Sequence, residues 1–278
     1  MEKKKILYVT HEMTPYLELT AMADISRALP QKMQEKNHEV RVFMPKFGDI
    51  KERKHRLHEV IRLSGINVTV GEDDNPLIIK VASLPSAKMQ IYFLDNDDFF
   101  VKRNVFHDDK KVFYKDNDER VIFFNKGVIE IILKLGWVPD VIHCIGWMSA
   151  LVPLYARTVH KHESVFRNTR FIYTPFENLF DNKLGKDFVH KAIVNGQDAE
   201  TFENLTDPSC NDMYVAGVTF ADGITLGSPD VEDSLLKHIY KSNKPVLPYQ
   251  ERNTENFAEN HYEFYQSLLE QPVFERKR

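Results

Sequence analysis

Apolar side chains fill residues 5–10, Lys-Ile-Leu-Tyr-Val-Thr, almost without a break, as in a strand covered on both faces of a parallel sheet. Met22, Ile25, Leu29 and Met33 follow at three-to-four spacing, which predicts a helix with one buried face and a kink at Pro30. Residues 39–45, Glu-Val-Arg-Val-Phe-Met-Pro, read as the next strand and complete a β-α-β unit. The pattern then changes. Strand-like runs at 66–70, 77–84 and 90–94 are separated by turn-rich residues at 71–76 and 85–88, which predicts antiparallel hairpins inserted on an otherwise parallel sheet.

Residues 99–119 are dense in Asp and Lys and read as a surface loop with little structure of its own. Helical spacing resumes over 121–135 through Phe124, Val128, Ile131, Ile132 and Leu135. A buried strand at 138–145, a helix at 147–160 and a strand at 170–175 come next, and then a strand and turn at 222–229 with a helix at 231–240. This alternation predicts an α/β, Rossmann-like, doubly wound parallel sheet with an antiparallel hairpin insertion. The tail carries Phe257, His261, Phe264, Tyr265 and Leu268 on one stripe, expected to be an amphipathic helix packed on its parent domain. The expected division is a Rossmann-like domain over 1–245 and the tail helix over 246–278.

Composition narrows the function. Of 278 residues, 42% are hydrophobic and 28% charged, the balance of a folded globular chain. A net charge of −4 and a pI near 6.3 argue against nucleic acid or an anionic membrane as partner. Cys144 and Cys210 are the only cysteines and form neither a disulfide framework nor a zinc pattern. Asp108, Asp109, Asp116 and Asp118 lack the glycine and closing glutamate of a calcium loop, and no metal or cofactor is implied. With no signal-peptide pattern and no apolar run long enough to span a bilayer, the expected compartment is the cytoplasm.

Several segments, in order, resemble one family. These are Ile6-Leu-Tyr-Val-Thr-His-Glu-Met-Thr-Pro15, Met22-Ala-Asp24, Ala28-Leu-Pro30, Val40-Arg-Val42, Pro45-Lys-Phe-Gly48 and Ile91-Tyr-Phe-Leu-Asp95. Pro139-Asp-Val-Ile-His143 with Trp147 follows, and then Tyr214-Val-Ala-Gly217, Ala221-Asp222 and Ser228-Pro229. Together they resemble the N-terminal catalytic domain of the glycogen and starch synthases, glycosyltransferase family 5. The resemblance implies the first half of a two-domain GT-B enzyme. Such enzymes transfer glucose from ADP-glucose or UDP-glucose to the end of an α-1,4-glucan, and their second domain supplies most nucleotide contacts. This chain stops where that second domain would begin.

The departures from the family fall where its chemistry would be. Its first loop reads Lys-Thr-Gly-Gly-Leu, and the matching residues here are Glu18-Leu19-Thr20-Ala21-Met22. A carboxylate about 4 Å from a phosphate repels it by roughly 4 kcal/mol per unit charge at an effective dielectric near 20. The family's His-Asp-Trp-His falls on Ile145-Gly146-Trp147-Met148, and its Thr-x-His-Asn on Thr174-Pro175-Phe176-Glu177. Glu12 and Asp24 stand as the family has them, with helix capping or solvated charge as the alternative to a donor-site role.

The resemblance therefore places candidate substrate-binding residues at Tyr16, Glu18, Thr20, Trp147, Met148, Phe176 and Glu177, and assigns no catalytic residue. Tyr16, Trp147 and Phe176 would offer aromatic faces to sugar rings, or pack in the core. Two readings stay open. One is a degenerate, non-catalytic form that binds an α-glucan or a partner, such as a partner synthase or a second copy of the chain. The other is an active glucosyltransferase that uses ADP-glucose and a separately encoded second domain.

Overall fold

The computed structural model describes residues 3–84, 87, 89–101, 103–194, 199–252 and 254–271. Pro85, Ser86 and Lys88 of the expected turn, and residues 272–278 of the tail, lie outside the described residues.

The chain opens with β1 (Lys5–Val9), α1 (Met22–Glu35) and β2 (Glu39–Pro45). Helix α1 buries Met22, Ile25, Leu29 and Met33, the stripe its spacing predicts, and runs through Pro30 without ending there. A short helix α2 (Glu52–His55) and strands β3 (His58–Glu59), β4 (Ile66–Val70), β5 (Asp73–Leu84) and β6 (Met89–Asp95) follow. Strand β6 lies parallel to β2, while β5 runs antiparallel to β6, β4 and β3. The insertion is therefore a hairpin on the outer edge. Its first turn is tighter than expected, because Asp73 to Pro76 already belong to β5 and pair with β4.

Helix α3 (Asn117–Leu135), β7 (Val141–Ile145), α4 (Leu151–Arg157), β8 (Arg170–Thr174) and α5 (Phe188–Ala192) build the next layer. The chain then adds α6 (Cys210–Phe220), β9 (Gly223–Thr225), α7 (Asp233–Lys241), β10 (Val246–Leu247) and α8 (Phe257–Glu270). The sheet order is β10-β9-β8-β7-β1-β2-β6-β5-β3, with β4 on β5. After β1 the chain winds outward through β2 and β6, then returns to β7 and winds the other way. The topological switch point lies between β1 and β7, and in doubly wound sheets ligands bind in the crevice beyond the strand ends at that point. No helix among the described residues is long and apolar enough to cross a membrane.

Residues 99–119 correct the expectation of a loop with little structure. Residues 97–101 form a wide helical turn that buries Phe99 and Phe100. The Arg120 guanidinium, itself buried, donates to the carbonyls of Phe99 (2.8 Å), Val105 (2.6 Å) and Asn104 (3.1 Å) and to Asn117 Oδ1 (2.7 Å). A cation that satisfies three otherwise orphaned carbonyls holds the segment without regular secondary structure. The aspartates of this segment are used locally: Asp108 Oδ1 accepts from the Lys110 and Val112 amides, Asp116 pairs with Arg103, and Asp118 pairs with Lys191.

The tail helix α8 buries Phe257, His261, Tyr262, Tyr265 and Leu268, with Phe264 half-buried. Gly223 allows this approach, since a Cβ there would lie 2.6 Å from Leu268 Cδ1. Tyr265 reaches the sheet itself. Its hydroxyl is 2.6 Å from His143 Nδ1 on β7 and 3.2 Å from the Tyr8 hydroxyl on β1.

Candidate functional site

Strand β1 delivers Thr10, His11 and Glu12 to the switch-point crevice, and β7 delivers Gly146 and Trp147 opposite. Both His11 and Glu12 are fully buried. A cavity of about 350 Å³ opens there, walled on its apolar side by Leu19, Val105, Phe106 and Leu179. Its polar atoms come from His11, Glu12, Thr20, Asp49, Asn104 and His107. No lysine or arginine is among the described residues that line it.

Glu12 organises the loop that leads into α1. Its Oε2 accepts hydrogen bonds from the backbone N–H groups of Leu19 (2.7 Å) and Thr20 (2.9 Å), and its Oε1 accepts from the Thr20 hydroxyl (2.5 Å). The Thr20 hydroxyl in turn accepts from the Met22 N–H at the start of the helix (3.1 Å). Such amides at a helix N-terminus form a ready site for an anion. Here a carboxylate of the chain itself is the anion. Burial pushes the Glu12 carboxyl above its ordinary range, against hydrogen bonds from Thr20 and Leu19, and the charge of Glu177 pushes the same way.

That shift carries a sign. With the folded-state value above 4.5, the native protein keeps the Glu12 proton over a window in which the unfolded chain has released it. The stability this group contributes therefore falls as pH rises through that window. Glu12→Gln removes the titration, so the melting-temperature advantage of the unsubstituted protein over Glu12→Gln should shrink as pH rises above 4.5. Parallel thermal melts of the two proteins check this, and a constant difference would contradict it.

The sequence-derived candidates separate into two groups. Thr20 lines the cavity, Glu18 is exposed on the same loop, and Glu177 is half-buried and close enough for its charge to act on Glu12. The aromatic faces offered to sugar rings are a correction: Trp147 is 0%, Phe176 2% and Tyr16 7% exposed. Trp147 packs against Phe106, with ring centroids 5.0 Å apart, and Phe180 at 4.8 Å, while Tyr16 packs on Phe93 at 5.0 Å. Phe93 and Phe180 are buried and Phe106 is half-buried at the cavity wall, and burial of the three large rings is what this apolar environment favours. Met148 is also buried, and its carbonyl accepts from Asn125 Nδ2 at 2.6 Å.

Gly146 shows how the crevice is filled. It has φ +77, a backbone that side-chain-bearing residues rarely adopt, and a Cβ there would meet Met22 Cε at 2.7 Å and His11 Cε1 at 3.0 Å. The room a side chain at 146 would need is taken by the Met22 thioether and the His11 imidazole. Sequence reading alone left His11 without a role. The available signal was its place, the first fully buried ring beyond the end of an apolar strand. Asn104, Phe106 and His107 were hidden in the segment read as a loop.

Comparison with known proteins fixes the family. The family profile described as the starch synthase catalytic domain matches residues 5–244. The chain belongs to the glycogen/starch synthase family. It is 37% identical over 239 residues to the glycogen synthase of Chlorobium luteolum, covering 84% of this chain and 47% of that one. It is 43% identical over 236 residues to that of Chlorobium phaeobacteroides, covering 83% and 47%. The chain thus spans about half the length of the curated relatives it matches. Its fold resembles the catalytic domain of starch synthase IV from Arabidopsis thaliana bound to ADP and acarbose, with a TM-score of 0.75 at 15% identity, over 90% of this chain and 52% of that one. The architecture is that of the N-terminal half of a GT-B glycosyltransferase.

Proposed function

We propose that this chain is a non-catalytic member of the glycogen/starch synthase family that holds an α-glucan in the switch-point crevice. The observation that carries this reading is the state of the first loop. Its amides are hydrogen-bonded to Glu12, a residue the family also has, so the departure lies in the charge of the loop. The position of the family's loop lysine is Glu18, and no lysine or arginine lines the cavity among the described residues. A pyrophosphate entering here would displace one carboxylate and face Glu177 and Asp49 without a counter-charge.

An uncharged glucan meets none of these costs. A largely apolar wall with a few polar groups at its edges suits a sugar, whose ring faces are apolar and whose rim carries hydroxyls. Native electrophoresis in gels with and without glycogen tests the reading. Retardation in glycogen is expected, and Phe106→Ala should weaken it while the protein still melts cooperatively. Equal mobility in both gels would overturn glucan binding and leave a protein partner, such as a second synthase chain, as the occupant to seek.

A further inference from the structure

Both ring nitrogens of His11 are buried and without a hydrogen-bond partner among the described residues. The Glu12 carboxylate is near, but its Oε1 lies 3.9 Å from Nε2, too far for a hydrogen bond. The ring packs edge-on against Phe106, with centroids 5.4 Å apart, and 6.3 Å from Trp147, whose indole Nε1 is also unpartnered. Burial holds the imidazole neutral, with its pKa lowered to about 3. One nitrogen is then a donor and the other an acceptor.

A buried polar ring with two open hydrogen-bonding positions is costly to fold around. It faces a cavity and has been given the space that a side chain at Gly146 would fill. A group with one donor and one acceptor matches a hydroxyl, which is also both. A phosphate matches it less well, because the carboxylates of Glu12 and Asp49 would repel the charge.

We propose that His11 is the group in this crevice that reads a hydroxyl of an uncharged sugar, and that it makes the pocket selective for sugar units without phosphate. Glu12 fixes the loop, Phe106 and Leu179 supply the apolar wall, and the neutral imidazole supplies the hydrogen bond at the base. The inference rests on the glucan-binding reading above and adds the recognising residue and the exclusion of charged sugars.

The test uses the full chain with histidine side chains labelled with ¹⁵N, and His11→Phe to assign the signals. Adding maltotriose should move the His11 ring-nitrogen resonances, and adding inorganic pyrophosphate should leave them in place. His11→Phe should melt at the same temperature or higher, since an unpartnered polar ring is replaced by an apolar one, yet bind maltotriose at least tenfold more weakly by calorimetry. If His11→Phe does not fold, His11→Gln assigns the signals in its place, and the nitrogen shifts of the unsubstituted protein then decide. Retardation in glycogen with no shift at His11, or with undiminished maltotriose binding by His11→Phe, would overturn this inference alone. A shift with pyrophosphate would overturn the selectivity, and the absence of both shift and retardation would overturn the broader reading as well.

Discussion

Tyr265→Ala should destabilise the protein by about 4 kcal/mol or more, the largest stability loss expected from a single change in the tail. Removing a buried aromatic ring commonly costs about 3–5 kcal/mol through lost transfer energy and the cavity left behind. Here the ring is 1% exposed, and its hydroxyl also serves two buried groups, His143 Nδ1 at 2.6 Å and the Tyr8 hydroxyl at 3.2 Å. Leaving a buried polar group unpaired adds about 1–3 kcal/mol. Tyr265→Phe separates the two contributions, because it keeps the ring and should lose only about 1–3 kcal/mol. Urea titrations of the three proteins measure both values. A Tyr265→Ala midpoint close to that of the unsubstituted protein would mean that α8 contributes little to the stability of the sheet.

The location of that tyrosine also shows what the sequence discloses and what it conceals. The stripe from Phe257 to Leu268 is visible as a period, and so are the seven residues of β2 and the hairpin insertion, because each is a local pattern of apolar positions. The partner of Tyr265 is not visible, since His143 lies 122 residues away and is joined to it only by folding. The same limit governs the crevice. The proposed losses at Glu18, Gly146 and Phe176 come from laying the chain on its family, but nothing local says that the His11 imidazole lies against Gly146.

Local composition misled in one place for a physical reason. The Asp and Lys residues between 99 and 119 signal solvent, yet Phe99, Phe100 and Val105 among them are buried, with Phe99 and Phe100 against Phe123 and a single arginine of the following helix holding the Phe99 and Val105 carbonyls. An arginine that caps three carbonyls replaces the hydrogen bonds of a strand or helix and leaves no period to detect. Trp147 shows the reverse case. An aromatic at a strand-to-helix corner fits either a sugar platform or a core residue, and only the rings of Phe106 and Phe180 around it decide for the core.

The chain alone should not transfer glucose from ADP-glucose or UDP-glucose to glycogen. Electrostatic groups fixed around the reacting atoms usually provide the largest part of an enzyme's rate, and removing one costs about 10²–10³. On the proposed non-catalytic reading three such positions are changed together: Glu18 stands for a lysine, Gly146 for an aspartate and Phe176 for a histidine. Residues that act as a unit do not lose rate multiplicatively, so the expected activity is bounded by the first loss and cannot be regained by reversing one of them. Glu18→Lys should therefore remain inactive. Radiolabelled donor incubated with protein and glycogen, with ADP-glucose binding followed by calorimetry, measures both steps. Labelled glycogen above a protein-free control would restore the reading of an active glucosyltransferase working with a separate second domain. Tight ADP-glucose binding without labelling would instead mean that the nucleotide reaches the crevice despite its carboxylates, and the pocket would then be a sensor of the donor rather than a holder of the glucan.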